Sequence, residues 1–194
     1  MARKDRTGNR KTRDQRSKRR VPEMGYYLVV TDTEGTERCF FNGMHDSLPD
    51  DMKKKLVIKV LETKTQNLIQ KCLEFNFDQI IQEAERAGIH VGWSNPCFEI
   101  WMFAYFGNMP VIQDSWVCCS RFGDLYRKKT GQDYSKTDAT IYKRLCENGD
   151  EEKAFSVAEQ KYQQCLREGK DIPSKMCPAT RVHELVGEIK RKVQ

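Results

Sequence analysis

Apolar residues fall in short runs along the chain, and the spacing inside each run predicts an element. Tyr26-Tyr27-Leu28-Val29-Val30 is a continuous aromatic and β-branched run that reads as a buried strand. It stops at Thr31-Asp32-Thr33-Glu34-Gly35-Thr36-Glu37, a small acidic turn, after which Cys39, Phe40, Phe41 and Met44 predict a short helix. Leu56-Val57-Ile58-Lys59-Val60 predicts a second strand. Leu68, Ile69, Cys72 and Leu73 lie at helical spacing within 65–74, and Ile80, Ile81, Ala84 and Ala87 mark another helix closed at Gly88. Ile89-His90-Val91-Gly92-Trp93 predicts a third strand, with His90 as a core or sheet-face residue. Asn95 as N-cap with Pro96 at the first helical position predicts a helix whose Phe98, Trp101, Met102 and Tyr105 share a face.

Beyond residue 107 the pattern weakens into expected turns and short polar helices as far as 150. A helix is predicted over 151–165, with Ala154, Phe155, Ala158, Tyr162 and Cys165 inward. A loop over 169–180 follows, holding Pro173 and Pro178. A last helix starts near 181, with Val182, Leu185, Val186 and Ile189 on one side. A buried strand ending in a polar loop and a helix belongs to the α/β class, in which ligands gather beyond the carboxyl ends of the strands.

Charge divides the chain in two. Residues 1–20 hold ten Lys or Arg, among them Arg16, Lys18, Arg19 and Arg20, against two acids. Residues 21–194 carry 24 basic and 26 acidic residues, so a slightly acidic body follows a basic tail. The tail over 1–23 is too polar to repay the entropy of ordering; it is expected to be disordered and to hold phosphate backbones in a salt-dependent way, or else merely to solubilise. The folded part is expected over 24–194.

No run approaches the roughly 18 apolar residues that a membrane span needs, and no apolar stretch follows the N-terminal charges as in a secretory signal. A cytoplasmic protein away from membranes is expected. The eight cysteines include no C-x-x-C pair, and the adjacent Cys118 and Cys119 suit neither ordinary bridging nor a zinc knuckle. They read as reduced, small apolar side chains. The chain lacks G-x-x-x-x-G-K-[ST] and G-x-S-x-G, which sets aside P-loop ATPase and serine hydrolase chemistry, and none of its three histidines lies in an H-E-x-x-H pattern.

The candidate chemistry is acidic. Asp32, Glu34 and Glu37 crowd the end of the first strand, and crowded carboxylates repel one another unless a cation joins them. Magnesium there would bridge to phosphate; the plainer alternative is helix capping or solvation. Glu99 is placed where it can join Asp32 or Glu34, with Asn95 beside it, or where it simply favours the start of its helix. Lys136 is a candidate phosphate contact or a surface lysine, in a stretch where Lys128, Lys129 and Lys143 add positive charge.

Three blocks then carry a resemblance. Tyr27 to Phe41, Ser94-Asn95-Pro96-Cys97-Phe98-Glu99-Ile100-Trp101, and Cys177-Pro178-Ala179-Thr180-Arg181-Val182-His183-Glu184-Leu185-Val186 together resemble RloB-like proteins over about 25–190. The resemblance implies a Toprim-like three-layer α/β fold on a mostly parallel central sheet, followed by a helical C-terminal region. It implies a phage-defence effector of the abortive-infection kind, a nuclease dependent on Mg2+ (or Mn2+) and acting on RNA, tRNA or DNA, beside an ATPase partner. Asp32 or Glu34 takes the place of the first catalytic acid, Glu37 that of the second glutamate, and Asn95 and Glu99 carry over from the S-N-P block. Asp32, Glu34 and Glu99 are thereby the implied metal ligands, while Asn95, Lys136 and the tail cations are implied contacts for nucleic acid.

One element of that pattern is absent. Between the opening acids and the S-N-P block, Toprim-like members carry a strand ending in Asp-x-Asp, and here it is missing between about 74 and 77. Either the strand was lost or an internal segment is omitted; omission is favoured, because deletion would leave neighbouring backbone groups unpaired. A noncatalytic module that binds nucleic acid or a partner, and a homo-oligomer, stay open as alternatives.

Overall fold

The computed structural model of the protein describes residues 25–31, 35–62 and 77–193. The basic tail with Arg16, Lys18, Arg19 and Arg20, the acids Asp32 and Glu34, the expected helix over 65–74 and the expected break near 74–77 lie outside the described residues. Strand β1 (Gly25–Thr31) pairs in parallel with β2 (Leu56–Glu62), from Gly25 opposite Leu56 to Thr31 opposite Glu62. The crossover between them contains helix α1 (Thr36–Asp46) and the single turn α2 (Asp50–Lys53). In β2 the side chains of Leu56 and Ile58 are buried while Lys59 is exposed, the period-two alternation of a strand with one face on a core. Helix α3 (Phe77–Arg86) is closed by Gly88 at φ 75°, as its glycine predicts.

Residues 89–93 are not a strand, and Ile89 and His90 are both exposed. Strand β3 is instead Ser94–Asn95, paired antiparallel with β4 (Ala179–Thr180). The main chain is pinned there by the Trp93 carbonyl, which accepts from the Arg181 backbone N–H at 2.8 Å and from Thr180 Oγ1 at 3.0 Å. Asn95 is therefore a strand residue and not a helix cap, and helix α4 (Glu99–Ala104) begins later, with Phe98 at its N-cap. The predicted inward face of that helix is right, since Phe98, Trp101, Met102 and Tyr105 are all buried.

The stretch after 107 is more ordered than the expected turns and short polar helices. Helix α5 (Ser115–Thr130) runs 16 residues, capped by the Asp114 carboxylate accepting from the Val117 N–H at 2.8 Å and ended by Gly131 at φ 72°. Helix α6 (Ile141–Asn148) follows, then α7 (Glu151–Arg167), a 3-10 turn over Pro173–Lys175, β4, and α8 (Val182–Val193). Among the described residues the strands make one parallel and one antiparallel pair, so the protein is a mixed helix–strand protein dominated by helices. No helix among them is long and apolar enough to cross a membrane.

Aromatic residues fill the main core. Phe40 of α1 meets Tyr142 of α6 edge-on at 5.1 Å and Phe98 at 5.4 Å, and Phe122 of α5 meets Tyr134 at 4.9 Å. Helix α4 packs against α5 and α7, and α1 against α6 and β2, so α4 sits at the centre and is wholly buried. A smaller cluster of Ile81, Trp93, Cys165, Met176 and Ala179 anchors α3. That helix is also fastened by polar ties. Asp78 accepts from the Ser174 backbone N–H at 2.8 Å and from its hydroxyl at 2.6 Å, and Glu85 pairs with Arg181 at 2.9 Å.

Candidate functional site

A cleft of about 900 Å³ opens near the carboxyl end of β1. Val29 of β1, Thr36 and Glu37 of α1, and Phe77 and Ile81 of α3 line one side. Cys97, Glu99, Cys119, Trp116 and Lys136 line another, and Val182 and Leu185 of α8 complete the wall. The cleft thus gathers three of the sequence-predicted residues, Glu37, Glu99 and Lys136, which are far apart along the chain. Trp116 stands at its rim with 77% of its surface exposed. Asn95 is not one of the lining residues: its side-chain amide donates to the carbonyls of Pro173 and Ser174, both at 3.1 Å.

Glu99, at the first position of α4, is 2% exposed. A carboxylate so deep keeps its charge only where donors replace the lost water. The Tyr134 hydroxyl donates to Oε1 at 2.7 Å, Lys136 Nζ lies 3.5 Å from the same oxygen, and Thr36 Oγ1 lies 3.4 Å from it. With the Tyr134 proton on Glu99, the Thr36 hydroxyl is the donor in its 2.8 Å contact with the tyrosine oxygen. Burial pushes the Glu99 carboxyl up, but Tyr134, the Cys97 thiol and Lys136 together outweigh it and hold the group below its ordinary value. Burial pushes Lys136 down, yet the Glu99 charge prevails and its ammonium is held more firmly than usual.

Two thiols sit beside this carboxylate. Cys97 Sγ and Cys119 Sγ are 4.0 Å apart, and both lie with a Glu99 oxygen inside a span of 4.8 Å. A hydrogen bond with Cys118, burial and the Glu99 charge push the Cys97 thiol far up; burial and then Glu99 push Cys119 up to about 12. Magnesium takes about six hard oxygen ligands. Among the described residues Glu37 and Glu99 are the carboxylates that line the cleft, and beside Glu99 stand two soft sulfurs and the Tyr134 and Thr36 hydroxyls, so this set by itself lacks the hard anionic oxygens that magnesium takes.

Sequence reasoning missed Thr36, Tyr134, Trp116, Cys97 and Cys119 as parts of this site. The cysteines carried a faint signal, since Cys97 stands two residues from Glu99 inside the S-N-P block. Tyr134 carried none, because it reaches Glu99 only through the docking of a loop 35 residues away.

The family model for RloB-like proteins matches residues 27–189. No curated protein and no solved structure gives a significant match to the chain.

Proposed function

The chain belongs to the RloB-like protein family, and from that premise we propose that it is a defence-associated effector that hydrolyses nucleic-acid phosphodiesters in the cleft at the end of β1. The observation that carries this reading is Glu99, a buried carboxylate held ionised, in one cleft with Glu37 and Lys136. Lys136, 59% exposed, offers an ammonium to a phosphate oxygen, and Glu37 offers a carboxylate that can accept a proton from an attacking water. Trp116 at the rim offers an aromatic face to a base of a single strand. Magnesium or manganese belongs to this reading only through Asp32 and Glu34, and a Toprim-like sheet only as an extension of the β1–β2 pair.

Labelled tRNA, other RNA and DNA, incubated with the full chain and Mg2+ or Mn2+, with and without a candidate ATPase partner, test the reading. Cleavage is expected, and Glu99→Gln or Asp32→Asn is expected to lower it about a hundredfold or more. The contacts of Glu99 Oε1 with Tyr134, Thr36 and Lys136 favour a second reading, in which the carboxylate is a structural tie in a noncatalytic module. Salt-sensitive binding of the same nucleic acids, or capture of the ATPase, without cleavage under any condition would decide for that module.

A further inference from the structure

We propose that Cys97, Glu99 and Cys119 form a three-ligand site for a thiophilic divalent cation of the zinc class, with its fourth position open to the cleft. The proposal concerns cation binding alone and does not depend on the chain being a nuclease.

Geometry comes first. Two sulfurs bonded to one tetrahedral zinc at about 2.3 Å stand about 3.8 Å apart, and Cys97 and Cys119 are 4.0 Å apart. A Glu99 oxygen completes the triangle, the three ligand atoms all lying within 4.8 Å of one another; bonded to one ion they would stand closer, so the side chains draw together as it enters. The three ligands come from fixed points: Cys97 and Glu99 flank the buried Phe98 at the start of α4, and Cys119 lies in the second turn of α5, which packs on α4.

The surroundings also match. Carboxylates that ligate metals are themselves held by hydrogen bonds, and the Tyr134 hydrogen bond and the Lys136 ion pair both fall on Oε1 of Glu99. As the ion enters, two thiol protons leave, and the resulting complex of two thiolates and one carboxylate carries a single negative charge that Lys136 offsets. Three protein ligands with an open fourth position is the pattern of a zinc site that meets a substrate or water. Cys118 is fully buried among core residues. Cys97 and Cys119 instead line a cleft beside an ionised carboxylate. A disulfide would require the sulfurs to close from 4.0 Å to about 2.05 Å.

The test uses the full chain, reduced and stripped of metal, then dialysed against zinc in a large excess of magnesium. One zinc per chain is expected to remain. Alkylation mapped by mass spectrometry on the unaltered protein should then show Cys97 and Cys119 protected about tenfold or more by zinc, while the rate at the exposed Cys146 stays unchanged. Cobalt in place of zinc should give thiolate-to-metal charge-transfer absorption, lost in Cys97→Ser and Cys119→Ser. Those variants should lose more than the roughly 10–100-fold in affinity expected of Tyr134→Phe, which removes only a partner of a ligand. Displacement of zinc by magnesium, equal alkylation with and without zinc, or recovery of a Cys97–Cys119 disulfide that reduction and zinc do not replace would overturn the proposal. A zinc-free cleavage assay in reducing buffer tests the nuclease reading separately, so either can fail alone.

Discussion

A buried carboxylate has given up its water, so each donor that faces it is worth more than the same donor at the surface. Tyr134→Phe removes the 2.7 Å hydrogen bond to Glu99 and the 2.8 Å contact with Thr36 together. We expect a loss of about 1.5–3 kcal/mol in urea unfolding. The pH dependence has a definite sign. Because the folded protein holds the Glu99 carboxyl below its ordinary value of 4.5, its contribution is present above that pH and is lost as the pH falls through the lower folded value. The stability difference between the native protein and Glu99→Gln should therefore shrink as unfolding is measured from pH 6 toward acid. Glu37 and Lys136 stood out in the sequence by type among polar neighbours, and Glu99 as a single acid between Phe98 and Ile100. Cys97 and Cys119 did not, because a thiol in an apolar pattern looks the same whether it fills space or faces a carboxylate. Asn95 misled for a related reason: the cap and strand roles share one sequence, and only the pairing with Ala179 separates them.

At the scale of elements, the cleft depends on how closely α1 lies against α6, since α1 delivers Thr36 and Glu37. Gly43 makes that approach close: a methyl group placed there would stand 2.9 Å from the Tyr142 Cβ. Gly43→Ala gains up to about 1 kcal/mol in helix propensity and loses about 1–3 kcal/mol to overpacking. The expected net is a destabilisation of about 1 kcal/mol, seen as a melting temperature lower by about 2–4 °C. Helix α5 shows why element boundaries were only partly readable. Its cap Asp114 and its closing Gly131 are both plain in the sequence, but its buried residues Cys118, Phe122 and Tyr126 are interleaved with Arg121, Arg127, Lys128 and Lys129. A helix stripe that narrow, set in so much charge, reads as a loop. The strands β1 and β2 and the helices α3, α7 and α8 were recovered from their apolar runs and spacing, while the parallel pairing of β1 with β2 comes from the structure.

Taken whole, the molecule joins a slightly acidic body to a tail of ten basic residues against two acids. If the tail holds nucleic acid, removing residues 1–22 should flatten the fall of binding constant with salt, by about 0.7 in logarithmic slope for each single-strand phosphate that the tail neutralises. Filter binding across a salt series measures it, and an unchanged slope would leave the tail as a solubilising segment. The same scale exposes how the cleft is assembled. Tyr27 in β1 donates its hydroxyl to Glu188 in α8 at 2.7 Å, across 161 positions of sequence, and Val182 and Leu185 of α8 line the cleft that begins at Val29. Synthesis proceeds from the N-terminus, and the first strand emerges long before its last partner. Every nascent chain that ends before Val182 therefore lacks a wall of the cleft, and a ribosome stalled anywhere before that point holds a polypeptide without a finished site.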